Sequence, residues 1–282
     1  MQRAYFDPSI VNRAVDNNIS PARLRAAFGR VGLEAATGLH TVLELARTFA
    51  APDNPHADRA RQLFTMLRDL EPAYQPDVPM LLAGELQKLR FGTAVLPFLD
   101  AFDLAATRTE VARLANGFFD DQARRFIRQK DALKLESLDA QERHAAYIGT
   151  LRGTDQVVRD LRTFDDVWRY FERRGDIPRL IADVLHHKIS SSEASELAAR
   201  LPSFPAIGAA TRANVYLNFI MVAGAVRPGK DKMDDYTHCI EATYCPALVS
   251  ADGQQITALR AISPDVRPIT WDDLSVVAEG AA

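Results

Sequence analysis

Two acidic residues each follow a short apolar segment that is predicted to be a buried strand. Asp7 comes directly after residues 4–6, and Asp252 ends the segment 246–252. In a parallel sheet the carboxyl ends of all strands lie at one edge, where ligand sites form. We therefore expect these two acids to lie close together, although they are far apart in the sequence.

Further acids belong to the helices that would border the same edge. Glu44 lies early in the helix after the second strand candidate, and Asp234 and Asp235 lie near the start of the helix before the strand that ends at Asp252. Crowded carboxylates without basic partners repel one another, so they must be protonated or hold a cation. Carboxylate oxygens suit Mg²⁺ or Mn²⁺, which also bind phosphate oxygens. The pattern predicts a divalent-metal site.

Each acid has a simpler interpretation when it is taken alone. Asp7 fits the N-cap of a following helix, and Asp252 fits a turn. Glu44 fits a solvated position on a helix, and Asp234 and Asp235 fit acids that are favoured near a helix N-terminus. Both interpretations stay open here, and the metal hypothesis depends on the acids meeting at one sheet edge.

The hydrophobic pattern predicts the elements that would position these acids. Short apolar runs at 4–6, 31–37 and 246–252 and a candidate at 266–270 indicate strands, and helical periodicity separates them. Strand signals nearly vanish between about residues 56 and 223. We therefore expect an α/β fold with a central parallel sheet built from residues 1–65 and 206–282, and a mainly helical insertion over 66–205.

Composition excludes several classes of protein. The 282 residues carry a formal net charge of −3, so any contact with a polyanion must come from a local basic patch. Two cysteines cannot form a disulfide scaffold and fit a reducing compartment. No apolar run approaches the length of a membrane span, and the N-terminus lacks the pattern of a signal peptide. The sequence predicts a cytoplasmic protein without a membrane association.

Three segments resemble the signature blocks of PIN-domain proteins, a family of metal-dependent ribonucleases with a three-layer α/β/α fold. They are "AYFDPSIVN", "GLHTVLELA" and "DDYTHCIEATYCPALVSAD". By this resemblance Asp7, Glu44, Asp235 and Asp252 take the four acidic positions, with Asp234 as the alternative to Asp235.

The resemblance implies Mg²⁺ or Mn²⁺ as cofactor and RNA as the substrate of phosphodiester hydrolysis. The implied biology is that of a toxin-type nuclease, with an antitoxin, another protein or a second copy of the chain as partner. Pro8-Ser9 stands where the family usually has Thr-Asn. Ser9 keeps a hydroxyl there, so we expect it beside the metal ligands.

Basic residues in the insertion allow two interpretations. Arg124, Arg128 and Lys130 share a positive helical face, which is either simply solvated or follows the phosphates of an RNA strand toward the metal. The alternative function is a catalytically degenerate PIN-like protein that binds protein or RNA through its helical insertion.

Other chemistries fit the sequence less well. Ser9 lacks the glycine-flanked elbow of a hydrolase nucleophile, and it also occupies the place where haloacid-dehalogenase-like phosphatases carry a second Asp. Cys239 and Cys245, with His238 as the only neighbouring histidine, fall short of a zinc ligand set. The sequence contains no glycine-rich phosphate loop.

Overall fold

The computed structural model describes residues 2–50, 56–121, 123–129, 131–132, 143, 146, 149–150, 153–224 and 230–274. Five parallel strands form one sheet in the order β3-β2-β1-β4-β5. The strands are β1 Gln2–Phe6, β2 Leu33–Gly38, β3 Ala73–Gln75, β4 Ala247–Ser250 and β5 Arg267–Thr270. The α/β fold with a central parallel sheet is confirmed.

The described helices run along the chain between and around these strands. The first six are α1 Pro8–Asp16, α2 Pro21–Arg30, α3 Leu39–Ala46, α4 Ala57–Leu70, α5 Val78–Phe91 and α6 Ala101–Ala115. The others are α7 Gln156–Asp160, α8 Phe164–Arg174, α9 Ile177–Val184, α10 Ser191–Ala199, α11 Pro205–Gly224, α12 Lys230–Glu241 and α13 Gly253–Ile262. Within the described ranges, no helix has the length and apolar character needed to cross a membrane.

Both faces of the sheet are buried, as a parallel sheet requires. Ala4 and Phe6 of β1 pack with α1, α2 and α4 on one face, and Tyr5 packs with α11, α12 and α13 on the other. Successive residues of a strand point to opposite faces, so Tyr5 lies on the face opposite to Ala4 and Phe6. The sheet is therefore the middle layer of a three-layer α/β/α arrangement.

The two ends of the chain contribute neighbouring strands. β1 pairs with β4 through the register Ala4 with Ala247 and Phe6 with Val249. The sheet also contains β3, which lies in the range that the sequence prediction assigned to the insertion and pairs with β2. The predicted insertion boundary at residue 66 falls inside α4, and the sheet takes residues up to Gln75. Between β3 and α11 the described residues form helices and connecting segments.

A buried carboxylate joins α5 to the start of α11. Glu85 accepts hydrogen bonds from the backbone N–H groups of Ala206 and Ile207, each at 2.8 Å, and from the Tyr244 hydroxyl at 2.6 Å. The first N–H groups of a helix have no partner within the helix, so Glu85 supplies the N-terminal acceptor of α11. Burial raises the pKa of Glu85, and these donors oppose that increase.

Replacing Glu85 by Ala should lower the free energy of unfolding by about 2–4 kcal/mol, because two N–H groups and a hydroxyl lose their acceptor in a buried place. Urea unfolding followed by circular dichroism measures this change. Gln87→Ala is the matched control, since Gln87 is exposed on the same helix. A Glu85→Ala protein as stable as the Gln87→Ala protein would contradict this role.

Candidate metal centre

Asp7 lies where β1 ends, and it caps the helix that follows. Its Oδ1 accepts from the Ser9 backbone N–H at 3.0 Å and also from the Ser9 hydroxyl. Its Oδ2 accepts from the Ser250 hydroxyl at 2.5 Å. Burial raises the pKa of Asp7, while the charge of His238 and the two serine hydroxyls oppose that rise. The cap interpretation of Asp7 is therefore confirmed.

The hydroxyls of Ser9 and Ser250 connect the ends of β1 and β4. Ser9 Oγ accepts from the Ala251 N–H at 2.8 Å, and Ser250 Oγ accepts from the Asp252 N–H at 2.9 Å. Each hydroxyl thus donates to Asp7 and accepts from the backbone that follows β4. These contacts fix the orientation of Asp7 relative to the neighbouring strand.

Glu44 faces His238 across the gap between α3 and α12. The distance between Glu44 Oε2 and His238 Nε2 is 2.9 Å. Burial would raise the pKa of Glu44, but its hydrogen bond with His238 and the charge of His238 lower it overall. Burial opposes the charged form of His238, but the same bond and three nearby carboxylates raise its pKa to about 9. The pair is therefore an imidazolium and a carboxylate at neutral pH.

Asp234 and Asp235 are neighbours in sequence but have different surroundings. Asp234 Oδ1 lies 2.9 Å from His40 Nε2, and its Oδ2 accepts from Arg47 Nη1 at 2.7 Å. Asp235 has an ion pair with Lys232 at 3.6 Å. Burial, together with the charges of Asp252 and Asp7, raises the pKa of Asp235 to about 6, although Lys232 opposes the rise. Asp234 is thus paired with two basic side chains at hydrogen-bond distance, whereas the ion pair of Asp235 is longer.

Asp252 is exposed and caps α13. Its Oδ1 accepts from the Gln254 N–H at 2.7 Å and more weakly from the Gln255 N–H at 3.4 Å. Its charge acts on Asp235, whose pKa also responds to Asp7. The electrostatic coupling joins Asp7, Asp235 and Asp252, and Glu44 is coupled to Asp7 in the same way.

The structure brings the predicted acids Asp7, Glu44, Asp235 and Asp252 into electrostatic reach of one another. In the described part of the chain, the group of three metal-ligating side chains whose donor atoms all lie within 4.8 Å of one another is a different one, His40, Glu44 and His238. Of the predicted acids, Glu44 belongs to this group.

The basic residues predicted to contact RNA are only partly described. Arg124 Nε is 3.8 Å from Asp121, and its guanidinium lies 5.0 Å from the Phe119 ring centroid. Arg128 is exposed, and Lys130 lies outside the described residues. The same segment reaches the acidic edge through Asp131, whose Oδ1 is 3.2 Å from Arg47 Nε.

Sequence reasoning missed several members of this site. Ser250 carries a signal that could have been used, since it stands two residues before Asp252 and near the end of a predicted strand. His40 stands one helical turn before Glu44, which places both on one helix face. Tyr5 and Arg47 have no such local signal, because their roles depend on contacts with distant elements.

Comparison with known proteins gives no relative from which a role could be transferred. No family model, curated protein or solved structure matches the chain. The assignment of roles therefore depends on the geometry of these residues.

Changing Asp235 to Asn should raise the free energy of unfolding by about 1–3 kcal/mol at pH 8 in metal-free buffer. Folded Asp235 keeps its proton up to about pH 6, against an ordinary value of 3.8. The stabilisation linked to that proton is complete below pH 3.8 and is lost as the pH rises through 6. The gain from the Asn variant should thus be smaller at pH 5 than at pH 8.

Asp234→Asn is the matched control for this prediction, and it should lower the free energy of unfolding instead of raising it. Its carboxylate neutralises Arg47 and bonds to His40, so its loss should cost about 1–3 kcal/mol at pH 8. Urea unfolding in EDTA at both pH values measures the two variants. Equal destabilisation by both substitutions would show that Asp235 carries no uncompensated charge.

Proposed function

We propose that this protein is a divalent-metal-dependent ribonuclease that hydrolyses phosphodiester bonds of RNA. The observation that carries the proposal is the placement of Asp7 and Asp252 beyond the carboxyl ends of the paired strands β1 and β4, with buried Asp235 close enough for both charges to raise its pKa. A divalent cation at this edge would offset that charge. The resemblance of the three acidic segments to PIN-domain proteins supports the same function.

The residues present fit Mg²⁺ or Mn²⁺. Asp7, Glu44, Asp235 and Asp252 offer carboxylate oxygens, the ligands that both ions accept. Asp234 is a weaker candidate, because Arg47 and His40 already use its oxygens. When bound, such an ion would supply positive charge to the phosphate and lower the pKa of an attacking water.

The protein's own groups orient the ligands for this chemistry. Ser9 and Ser250 hold Asp7 from two sides, so its carboxylate cannot rotate freely. His238 holds Glu44 in the same manner. Exposed Asp252 lies on the solvent side, where a phosphate of the substrate would arrive. Preorganised ligands of this kind avoid the cost of rearrangement during the reaction.

Basic residues beside the acidic edge would guide the RNA strand. The segment that carries Arg124 and Arg128 is linked to the edge through Asp131 and Arg47. Phosphate contacts position a nucleic acid without reading its sequence. We therefore propose that this segment binds the RNA backbone next to the cleavage site.

A second candidate function is a binding module without catalysis. Two observations favour it. Asp7 Oδ1 already accepts two hydrogen bonds and Oδ2 accepts a third, which leaves few lone pairs for an ion. Large apolar side chains are exposed on α5, α6 and the connecting loop, as in Phe91 at 75%, Leu96 at 71% and Phe102 at 80%. A protein partner of antitoxin type, or a second copy of the chain, could cover them.

Cleavage of a mixed single-stranded RNA should require Mg²⁺ or Mn²⁺ and should fall on the order of 100-fold or more in Asp7→Asn, Asp235→Asn and Asp252→Asn. Each change keeps the size of the side chain and removes charge that the ion needs. Asp265→Asn is the control, because Asp265 is exposed and lies two residues before the amino end of β5, at the opposite edge. Undiminished metal-dependent cleavage by well-folded acid variants would reject the nuclease proposal and favour the binding module.

Binding of single-stranded RNA should become less salt-dependent in Arg128→Gln. The slope of log affinity against log salt should fall by about 0.7 for one lost phosphate contact. Fluorescence anisotropy in the Asp252→Asn background separates binding from cleavage. Arg179→Gln on α9 is the control for a general loss of positive charge, since Arg179 is also exposed. Equal slopes of log affinity against log salt for both variants would show that Arg128 does not contact an RNA phosphate.

A further inference from the structure

We propose that His40, Glu44 and His238 form a nitrogen-containing site that binds Mn²⁺ or another first-row transition ion in preference to Mg²⁺. The inference goes beyond the proposed ribonuclease function, because it concerns metal binding alone and holds whether or not the chain cleaves RNA. Imidazole nitrogen suits transition ions, whereas Mg²⁺ prefers oxygen ligands.

The three donors come from two facing helices. His40 and Glu44 lie one turn apart on α3, and His238 lies opposite them on α12. One donor atom from each side chain lies within 4.8 Å of the other two, and the ring centroids of His40 and His238 are 5.0 Å apart. Ligands of one transition ion lie about 3–4 Å from each other when each bond is about 2.0–2.2 Å. Small side-chain movements would therefore bring the three atoms onto one ion.

A chain of hydrogen bonds from Tyr5 to Glu241 orients the His238 ring on its Nδ1 side. The Tyr5 hydroxyl has one hydrogen, which it donates to Glu241 Oε2 at 2.6 Å. Its oxygen therefore accepts from His238 Nδ1, at 2.7 Å. This leaves Nε2 as the nitrogen that faces Glu44. An ion that binds there displaces the Nε2 proton to solvent, so binding should strengthen as the pH rises. A metal-binding histidine usually donates its other N–H to a fixed acceptor, which orients the ring and makes it a better ligand.

Gly38 makes room for this support. Glu241 is fully buried, and a Cβ atom at position 38 would lie 1.7 Å from Glu241 Oε2. Any larger residue would push the carboxylate away from Tyr5. Glycine is thus required at position 38 because the Glu241 carboxylate lies so close to it. The backbone conformation there is one that other residues also adopt.

His40 has a support of its own. Its Nε2 lies 2.9 Å from Asp234, which in turn accepts from Arg47. Both histidines are therefore oriented by an outer group, Tyr5 with Glu241 for one and Asp234 with Arg47 for the other. The two oriented histidines and Glu44 thus form a ligand set of their own. It is separate from Asp7 and Asp252 at the strand ends, which are held by other hydrogen bonds.

Electron paramagnetic resonance of Mn²⁺ bound to the purified full chain tests the proposal. The chain is first stripped with EDTA and kept in a buffer without metal-binding nitrogen. Electron spin-echo modulation should show ¹⁴N coupling in the wild type. His40→Gln and His238→Gln should reduce that coupling and weaken Mn²⁺ binding about 10-fold or more. Mg²⁺ should displace the ion only at a large excess.

Three controls make the outcome decisive. His187→Gln changes an exposed histidine on the segment after α9 and should leave coupling and affinity unchanged. Tyr5→Phe should weaken Mn²⁺ binding while the fold survives, because Nδ1 loses its acceptor and the ring its orientation. Thermal melting identifies variants that fail to fold, and His40→Gln carries the test if His238→Gln is one of them.

The proposal would be overturned by bound Mn²⁺ without ¹⁴N coupling, by coupling that is undiminished in both histidine variants, or by no Mn²⁺ binding at millimolar concentration. Cleavage is measured separately on the same samples. A ¹⁴N signal without cleavage would reject the ribonuclease function and keep the metal site. Cleavage that depends on Asp7, without a ¹⁴N signal, would keep the ribonuclease function and reject the nitrogen-containing metal site.

Discussion

Buried negative charge at one edge of a parallel sheet is the constraint on which this structure depends. Carboxylates removed from water must be neutralised, protonated or bonded to donors, because the isolated charge is costly in a low dielectric. The acids at this edge are stabilised in several of these ways. Asp7 accepts from hydroxyls and a backbone N–H, Glu44 pairs with His238, and Asp234 pairs with Arg47 and His40. Asp235 has a longer ion pair, with Lys232 at 3.6 Å, and burial raises its pKa to about 6.

The helices outside the sheet contribute to this arrangement through polar contacts as well as packing. Glu85 of α5 holds the start of α11, and α11 packs against α12, which carries Asp234, Asp235 and His238. Arg47 links α12 to Asp131 in the segment after α6. Chain segments outside the sheet therefore contact the elements that carry the acids at its edge. We expect the predicted insertion to matter for the geometry of the site as well as for any partner that it binds.

Much of the fold could be read from the sequence because it depends on local patterns. The strands before Asp7 and Asp252 follow from apolar runs, and the structure has both. β3 was missed because three residues give no periodicity, and its conformation depends on pairing with β2. Asp7 and Asp252 were recognised from their positions after predicted strands, and Glu44, Asp234 and Asp235 from their positions on the neighbouring helices. Their partners were not, since His238 meets Glu44 only after α3 and α12 have packed. The choice between Asp234 and Asp235 depended on the rotation of α12, which sequence alone does not determine.

The most direct test of the central claim is the position of an ion in crystals grown with Mn²⁺ and a short single-stranded RNA that carries phosphorothioate linkages. Anomalous scattering identifies Mn²⁺ independently of the model of the protein. The account predicts a peak within about 2.5 Å of carboxylate oxygens from the set Asp7, Glu44, Asp235 and Asp252, with an RNA phosphate beside it. A peak that none of these acids contacts, with Asp7 and Asp235 still in their present hydrogen bonds, would contradict it.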